Sequence, residues 1–284
     1  YCAIPDIRGG FHSRDEAENI AECQKLVKEG AKEITLIGQD TTRYGFDKGK
    51  EYSLAGLLRK VAAIDGIFLV RALYLYPDEV SDELIDVMGS DPKIAPYFDL
   101  PIQHISTSVL KRMNRRGDKD FIVDLLGKIR SRVRNSVIRT TLIVGFPGET
   151  EADFSTLCEF ISDFGFERLG AFMYSKEEDT KAFSMSGQVE ESVKSERYDR
   201  IMSIQRKIAR KKNREQIGKT FPTLIENYDP ETGFFYGRSY AFAPDDVDGY
   251  IVFQSEYSPS IGDIVDVMIK ESIGYDLIGD QVDS

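Results

Sequence analysis

The sequence predicts an α/β protein. It reads as a partial (β/α)6 barrel over residues 1–189, a linker helix at 190–217, and a small five-stranded antiparallel β-barrel at 218–284. Three observations predict this. Between residues 13 and 174, helix-patterned and strand-patterned segments alternate. The five strands in that stretch are mostly continuous apolar runs, as expected of parallel strands covered by helices. After Gly218 the pattern changes to five short strands split by Gly, Pro and Asp turns, the layout of a small barrel.

The first helix is "SRDEAENIAECQKLVKEG" (13–30), with Ser13 and Glu16 spaced as a capping box and Gly30 as its stop. Ala17, Ile20, Ala21, Leu26 and Val27 share its apolar face. "KEITLIG" (32–38) is a strand, "SLAGLLRKVAAI" (53–64) a helix and "IFLVRALYL" (67–75) a strand. "SDELIDVMG" is a helix, "YFDLP" (97–101) a short strand, and "STSVLKRM" and "DKDFIVDLLGKIRSRV" are helices. "IRTTLIV" (138–144), "TEADFSTLCEFISDF" and "RLGAFMY" (168–174) complete the series as strand, helix and strand. The connections are long enough for right-handed crossovers. The chain opens on a loop leading into a helix, where a barrel unit would be ending its first strand. One more strand upstream would give six βα units. Residues 190–216 form a long basic helix with Ile201, Ile204 and Ile208 as a narrow packing stripe. "FPTLIENY", "GFFYGRSY", "GYIVFQS", "DIVDVMIK" and "YDLIGD" are the strands of the second barrel.

With 41% hydrophobic and 30% charged residues, the 284-residue chain can bury a core and stay in solution. No apolar run approaches the ~20 residues of a membrane helix. The cysteines, Cys2, Cys23 and Cys158, are too few and too scattered for a disulfide framework, which points to a reducing, cytoplasmic setting. Two histidines exclude a His-rich metal site. The net charge of −11 belongs to the tail: from Lys219 onward there are 13 acidic and 3 basic residues, against 35 and 34 in residues 1–218. Such a surface repels phosphates and attracts basic proteins, or serves solubility alone.

In βα barrels, chemistry sits at the C-terminal ends of the strands. Here those ends are followed by "GQDTTRYGFD", "YPDE", "IQH", "GFPGET" and "SKEED", loops rich in Gly, amides and carboxylates suited to a polar cofactor. GxSxG, HExxH and phosphate-loop patterns are absent. Gly145-Phe146-Pro147-Gly148-Glu149-Thr150 is also explained by a turn and helix start. His104 reads equally as a packing or a catalytic histidine, and Cys23 and Cys158 as small core residues. Cys2 lies on a loop at the presumed site face.

These loops resemble those of the radical S-adenosylmethionine methylthiotransferases. "YCAIPDIRGGFHSR" is similar to the end of that family's CxxxCxxC segment, with Cys2 as its third cysteine. "GQDTT", "LYLYP", "DLPIQH", "RTTLIVGFPGETEADF" and "FMYSKEEDT" follow in family order, and residues 219–284 resemble the family's OB-like TRAM barrel. Within the family, "GQDTT", "PIQH" and "GRSYAFAPDDVDG" resemble the branch that methylthiolates an aspartate β-carbon of a small-subunit ribosomal protein. The resemblance implies a radical SAM barrel, S-adenosylmethionine, and a 4Fe-4S cluster held by three thiolates. A 5'-deoxyadenosyl radical is the implied hydrogen abstractor, and a second cluster is implied upstream. It implies Cys2 as a cluster ligand with Tyr1 packing beside it, and Gln39 and Asp40 at the methionine amino group. It also implies Gln103 near the ribose, and Ile143, Val144, Tyr174 and Ser175 around the adenine. The two companion cysteines belong before Tyr1, so this chain alone completes neither cluster and reads as the ordered part of a longer protein.

The implied partner is a basic small-subunit ribosomal protein, recruited by the acidic tail barrel, in particular Asp245, Asp246 and Asp248. Direct nucleic-acid binding is disfavoured by the same charge, and no membrane is implied. Two other readings remain at this level: a tRNA adenosine methylthiotransferase, favoured by the basic helix, and a non-catalytic ribosome-associated binding module.

Overall fold

The computed structural model describes residues 7, 9–244 and 247–283. Five parallel strands alternate with helices in the first two thirds of the chain. They are β1 (Glu33–Leu36), β2 (Leu69–Ala72), β3 (Tyr97–Asp99), β4 (Val137–Val144) and β5 (Arg168–Met173). The ladder is in two pieces, β1–β2 and β3–β4–β5. Single contacts bridge the seam, with the Ala95 N–H on the Val70 carbonyl (2.8 Å) and the Leu75 N–H on the Asp99 carbonyl (2.9 Å). Outside them lie α1 (Glu16–Lys28), α2 (Leu54–Ala62), α3 (Asp82–Ser90), α4 (Thr107–Arg112), α5 (Lys119–Arg132) and α6 (Glu151–Phe164). One continuous core joins the strands to this layer, from Leu58 and Val61 through Phe98 and Leu142 to Phe154 and Ile161. Among the described residues no helix is long and apolar enough to cross a membrane.

The start of α1 differs from the expected capping box. Asp15 is the N-cap, accepting from the N–H groups of Ala17 and Glu18. Ser13 is buried instead: its N–H donates to Asp47 and its hydroxyl accepts the Gly45 N–H, both at 2.9 Å. A carboxylate immediately before the first turn outcompetes a serine whose hydroxyl is claimed by a distant loop.

The long helix α7 (Glu191–Arg214) lies against α6, β4, β5 and the second barrel. Its buried stripe is Lys194, Arg197, Ile201, Gln205, Ala209 and Asn213, mostly polar rather than the isoleucine row expected. Ile204 and Ile208 are partly buried beside the core. Each polar member has at least one partner, although Arg197 Nε and Gln205 Oε1 have none. Lys194 Nζ donates to the Tyr174 carbonyl (3.0 Å), Gln205 to the Phe166 carbonyl (3.1 Å) and Asn213 to the Tyr275 carbonyl (3.2 Å).

The second unit is a closed barrel of β6 (Thr220–Asp229), β7 (Phe234–Arg238), β8 (Ile251–Gln254), β9 (Ile264–Ile273) and β10 (Asp276–Val282). Its pairs are antiparallel except β8–β10, which run parallel and close the ring, so the expectation of a wholly antiparallel barrel is corrected at that seam. Phe221, Phe235, Phe242, Phe253 and Val267 fill it.

The loop after β7 docks into the N-terminal end of the first barrel. Ala243 packs with Leu69, Leu73, Tyr97 and Val137. Arg71, fully buried, donates to the carbonyls of Tyr240 (2.9 Å) and Ser239 (3.3 Å) and lies over the Tyr97 ring. Glu33 binds Arg71 through one oxygen and Arg238 through the other, each at 2.9 Å. Asp248 is buried, accepting the Tyr97 hydroxyl (2.5 Å) and the Ala243 N–H (2.8 Å). Asp248 is therefore a structural carboxylate and cannot recruit a partner, contrary to expectation; Asp245 and Asp246 lie outside the described residues. The floor of the first barrel is closed by this loop.

Candidate active site at the barrel mouth

With the floor plugged, the open end of the barrel is the C-terminal end of the strands. Burial alternates along β4: Leu142 and Val144 are buried in the helix-side core and Thr140 is buried with its hydroxyl on the Leu100 carbonyl (2.8 Å), while Arg139, Thr141 and Ile143 are half-buried on the inner face. In the β4–β5 register Ile143 pairs with Phe172 and Thr141 with Gly170, so Phe172 shares the inner face with Ile143. Phe172 is 63% exposed. Ile37 (70%) stands just beyond β1. An apolar wall left uncovered at a barrel mouth is suited to a flat, largely apolar ring such as a purine.

The loops around this wall are fixed by backbone geometry. Tyr74, after β2, has φ 59° and Gln103, after β3, has φ 68°, left-handed conformations that side chains other than Gly and Asn rarely adopt. Tyr74 is clamped from both sides. Its N–H donates to the Asp99 carboxylate (2.9 Å), and its carbonyl accepts the Thr41 N–H (3.1 Å) and hydroxyl (3.2 Å). Its ring stays half exposed at the mouth. Gln103 is held through Thr141 and Ile143, its N–H on one carbonyl (2.9 Å) and its carbonyl on the other N–H (2.8 Å). Strain of this kind, held by surrounding bonds, is characteristic of functional sites. Burial raises the Asp99 carboxyl above its usual range, opposed by Arg139 at 3.8 Å and the Tyr74 N–H.

In the loop after β1, Gln39 is exposed and Asp40 half-buried. Asp40 Oδ1 accepts the Thr42 N–H (3.1 Å) and the Thr42 hydroxyl, which accepts in turn from the Tyr76 N–H (3.1 Å). The "GQDTT" segment is thus stapled to the loop after β2.

The turn after β4 is held from below. Gly145 has φ 73°, and a Cβ there would lie 2.3 Å from the Lys194 side chain. Glu149 is buried, accepting N–H groups from Gly145 (2.5 Å) and Phe146 (3.1 Å) and the Arg197 guanidinium (3.1 Å). Burial pushes its carboxyl up to about 7 despite these partners. His104 is fully buried; Nδ1 accepts the Ser106 N–H (2.9 Å), Nε2 has no partner, and burial lowers its pKa to about 4. It is a neutral interior imidazole.

The expected site residues separate under this geometry. Gln103 and Ile143 face the mouth. Val144 points its side chain into the helix-side core, and only its backbone borders the site, the carbonyl accepting the Tyr174 N–H (2.9 Å). Tyr174 is likewise buried, its ring edge-on to Phe146 at 5.1 Å beneath the turn. Ser175 is exposed and donates to Glu177 (2.6 Å). Tyr1 and Cys2 lie outside the described residues. Tyr74, Asp99 and Phe172 were missed; for Phe172, an apolar residue on the inner-facing register of the last strand was the available signal.

Among the described residues no group of three or more His, Cys, Asp or Glu could hold a metal, and Cys23 and Cys158 are buried. The described residues do not hold a 4Fe-4S cluster by themselves. The mouth, with its apolar wall, amide and carboxylate, does fit an adenosyl amino acid.

Comparisons with known proteins agree with this architecture. The radical SAM superfamily profile matches residues 1–161 and the TRAM domain profile residues 217–282. "Ribosomal protein uS12 methylthiotransferase RimO" of Clostridium botulinum strain Hall is 45% identical over 98% of this chain and 62% of its own length. The proteins of the same description from Syntrophotalea carbinolica and Trichlorobacter lovleyi are 45% and 44% identical over 100% of this chain, covering 62% and 63% of their lengths. The chain thus spans about three fifths of the curated relatives it matches. With the profile covering more than half of its length, on a parallel βα barrel that opens at the strand C-termini, the chain belongs to the radical SAM superfamily.

Proposed function

We propose that this chain is the catalytic barrel and TRAM barrel of a methylthiotransferase that modifies the β-carbon of an aspartate in ribosomal protein uS12. The observation carrying this reading is 45% identity to uS12 methylthiotransferases along nearly the whole chain. We divide it as a radical SAM barrel at 1–189, a linker helix at 190–217 and a TRAM barrel at 218–284. The superfamily uses a 4Fe-4S cluster and S-adenosylmethionine. When bound, they supply the one-electron chemistry that activates an inert C–H bond. A second cluster, in sequence beyond the matched region of the relatives, belongs to the same reading.

For this chain's residues we assign Cys2 as a cluster ligand with Tyr1 beside it. Gln39 and Asp40 meet the methionine amino group, and Gln103 meets the ribose. The Ile143 side chain and the Val144 backbone flank the adenine, joined by Phe172. Tyr174 acts from beneath, by supporting the Phe146 turn, and Ser175 by tying the loop after β5. The plugged floor leaves one entrance, so substrate and cofactor share the mouth. Asp248 being buried, recruitment of a basic protein falls to the exposed acids of the second barrel, Glu231, Glu256, Asp263, Glu271 and Asp283. A ribosomal substrate implies a cytoplasmic enzyme.

The test is to express the protein from its complete gene, reconstitute it with iron, sulfide and reductant, and supply S-adenosylmethionine with small ribosomal subunits. The expected result is 5'-deoxyadenosine release and one added methylthio group on a uS12 aspartate. A fully clustered sample that cleaves no S-adenosylmethionine refutes the reading. Modification of tRNA adenosine in place of uS12 refutes the substrate.

A further inference from the structure

A second concave site lies at the opposite end of the barrel from the mouth. It is a cleft of ≈ 510 Å³ between the turn before β4, the C-terminal end of α7 and the start of β6. Five basic side chains line it, Arg130, Arg134, Arg168, Lys212 and Lys219, against two carboxylates, Glu167 and Glu215. This concentration of positive charge stands in a chain of net charge −11.

Of the two carboxylates, Glu167 is committed, while Glu215 is exposed and makes no ion pair among the described residues. Glu167 is shared between Arg130 (2.7 Å) and Lys212 (2.8 Å), and it also accepts the Ile138 N–H (3.0 Å). That triad keeps one net positive charge. Arg168 is buried and faces Asp248 at 3.9 Å, so it contributes little. Arg134 is exposed and makes no ion pair among the described residues, although the protein has acids to spare. Lys219, also exposed, has its ammonium on the Gln216 side-chain carbonyl (3.1 Å), a neutral partner. With Arg168 set against Asp248, the charges of Arg134, Lys219 and the triad (+3) against Glu215 (−1) leave the cleft a net charge of +2. Low-dielectric walls focus such a field into the cleft, while the acidic faces of the second barrel repel anions elsewhere.

We propose that this cleft binds phosphate groups, through Arg134 and Lys219 with the Arg130–Glu167–Lys212 triad behind them. The volume holds a pyrophosphate or two to three linked phosphodiesters, and the surrounding acidity confines the ligand's charge to the cleft. The sequence-wide charge disfavours nucleic acid on average; the structure makes one local exception. Because the cleft and the mouth are at opposite poles, occupancy does not compete with S-adenosylmethionine.

The test measures binding of inorganic pyrophosphate and of a fluorescent 12-nucleotide single-stranded RNA to the complete protein, at 50 mM and 200 mM salt. Arg134→Glu and Lys219→Glu are compared with Lys25→Glu on the distant, exposed face of α1, with thermal melts confirming that all three fold. Each cleft variant is expected to weaken binding about tenfold. For RNA each should also lower the salt slope by about one. Pyrophosphate binding lost in the cleft variants identifies a free phosphate ligand; RNA binding alone, lost in the same variants, identifies a phosphodiester backbone. Absence of both below about 1 mM at 50 mM salt, or an equal loss in Lys25→Glu, overturns the proposal.

Discussion

Glu33 is the residue on which the docking of the two barrels turns, and Glu33→Gln is the perturbation that tests it. The substitution keeps shape and removes charge. In the native protein one oxygen binds Arg71 and the other Arg238, each at 2.9 Å, with all three side chains at 7% exposure or less. Removing one partner of a buried pair costs about 3–5 kcal/mol because the remaining charge is stranded. Here the stranding is incomplete. Arg71 keeps the carbonyls of Tyr240 and Ser239, and Arg238 keeps Glu226 at 2.5 Å and the Phe242 carbonyl at 3.2 Å. The glutamine also retains one acceptor. The expected loss is therefore near the lower bound, about 3 kcal/mol. The assay is urea unfolding followed by far-UV circular dichroism, since the chain has no Trp. The loss should persist at 0.5 M NaCl, because a pair this buried is poorly screened. A loss below about 1 kcal/mol, or one that vanishes with salt, would refute the claim that this carboxylate fastens the barrels together.

Tyr74→Gly should leave stability within about 1 kcal/mol, relief of the left-handed strain offsetting the added chain entropy, while weakening S-adenosylmethionine binding several-fold by calorimetry; unaltered affinity would remove Tyr74 from the site. Glu149 and His104 oppose each other in pH. The Glu149 pKa rises from 4.5 to about 7, so its burial favours the fold at low pH and is lost as pH rises through 7. The His104 pKa falls from 6.5 to about 4, so its contribution is present above 6.5 and lost as pH falls through 4. Glu149→Gln should leave a stability that falls on acidification from 6.5, and His104→Gln one that falls on alkalinisation above 4.5, each by at most about 3 kcal/mol; parallel profiles in melts from pH 4 to 8 would show that neither burial matters. Neutralising Glu256, Asp263 and Asp283 together should slow association with uS12 and flatten its salt dependence in stopped flow; identical on-rates would leave the acidity to solubility.

The strands and helices were legible because apolar runs such as "TLIV" and the periodic face of α2 need no tertiary information. What escaped was polar. The stripe of α7 buries Lys194, Arg197, Gln205 and Asn213, which no hydrophobic pattern reveals, since their partners are carbonyls and carboxylates distant in sequence. Asp248 read as surface charge because nothing in "DDVDG" announces the Tyr97 hydroxyl 151 positions away. At the mouth, Gln103 and Ile143 were legible from their place after or within a strand. Tyr74 was not, because its left-handed backbone is imposed by Asp99 and Thr41 rather than encoded by a glycine. Ser13 lost its predicted cap for the same reason: a competing bond formed elsewhere.

The loop that seals the barrel floor bears on how this protein can be rebuilt. Ser239, Tyr240, Ala243 and Asp248 belong by sequence to the second barrel, yet they cover Arg71, Leu69 and Tyr97 of the first. Cutting the chain at the linker helix would uncap Leu69, Tyr97 and Val137 and strand Arg71 without its two carbonyl acceptors. A chimera that exchanges the tail barrel for that of a relative would have to bring a matching plug, or change Glu33, Arg71 and Tyr97 to suit the new one. The second barrel cannot be swapped as a cassette here, because it and the first barrel share a wall.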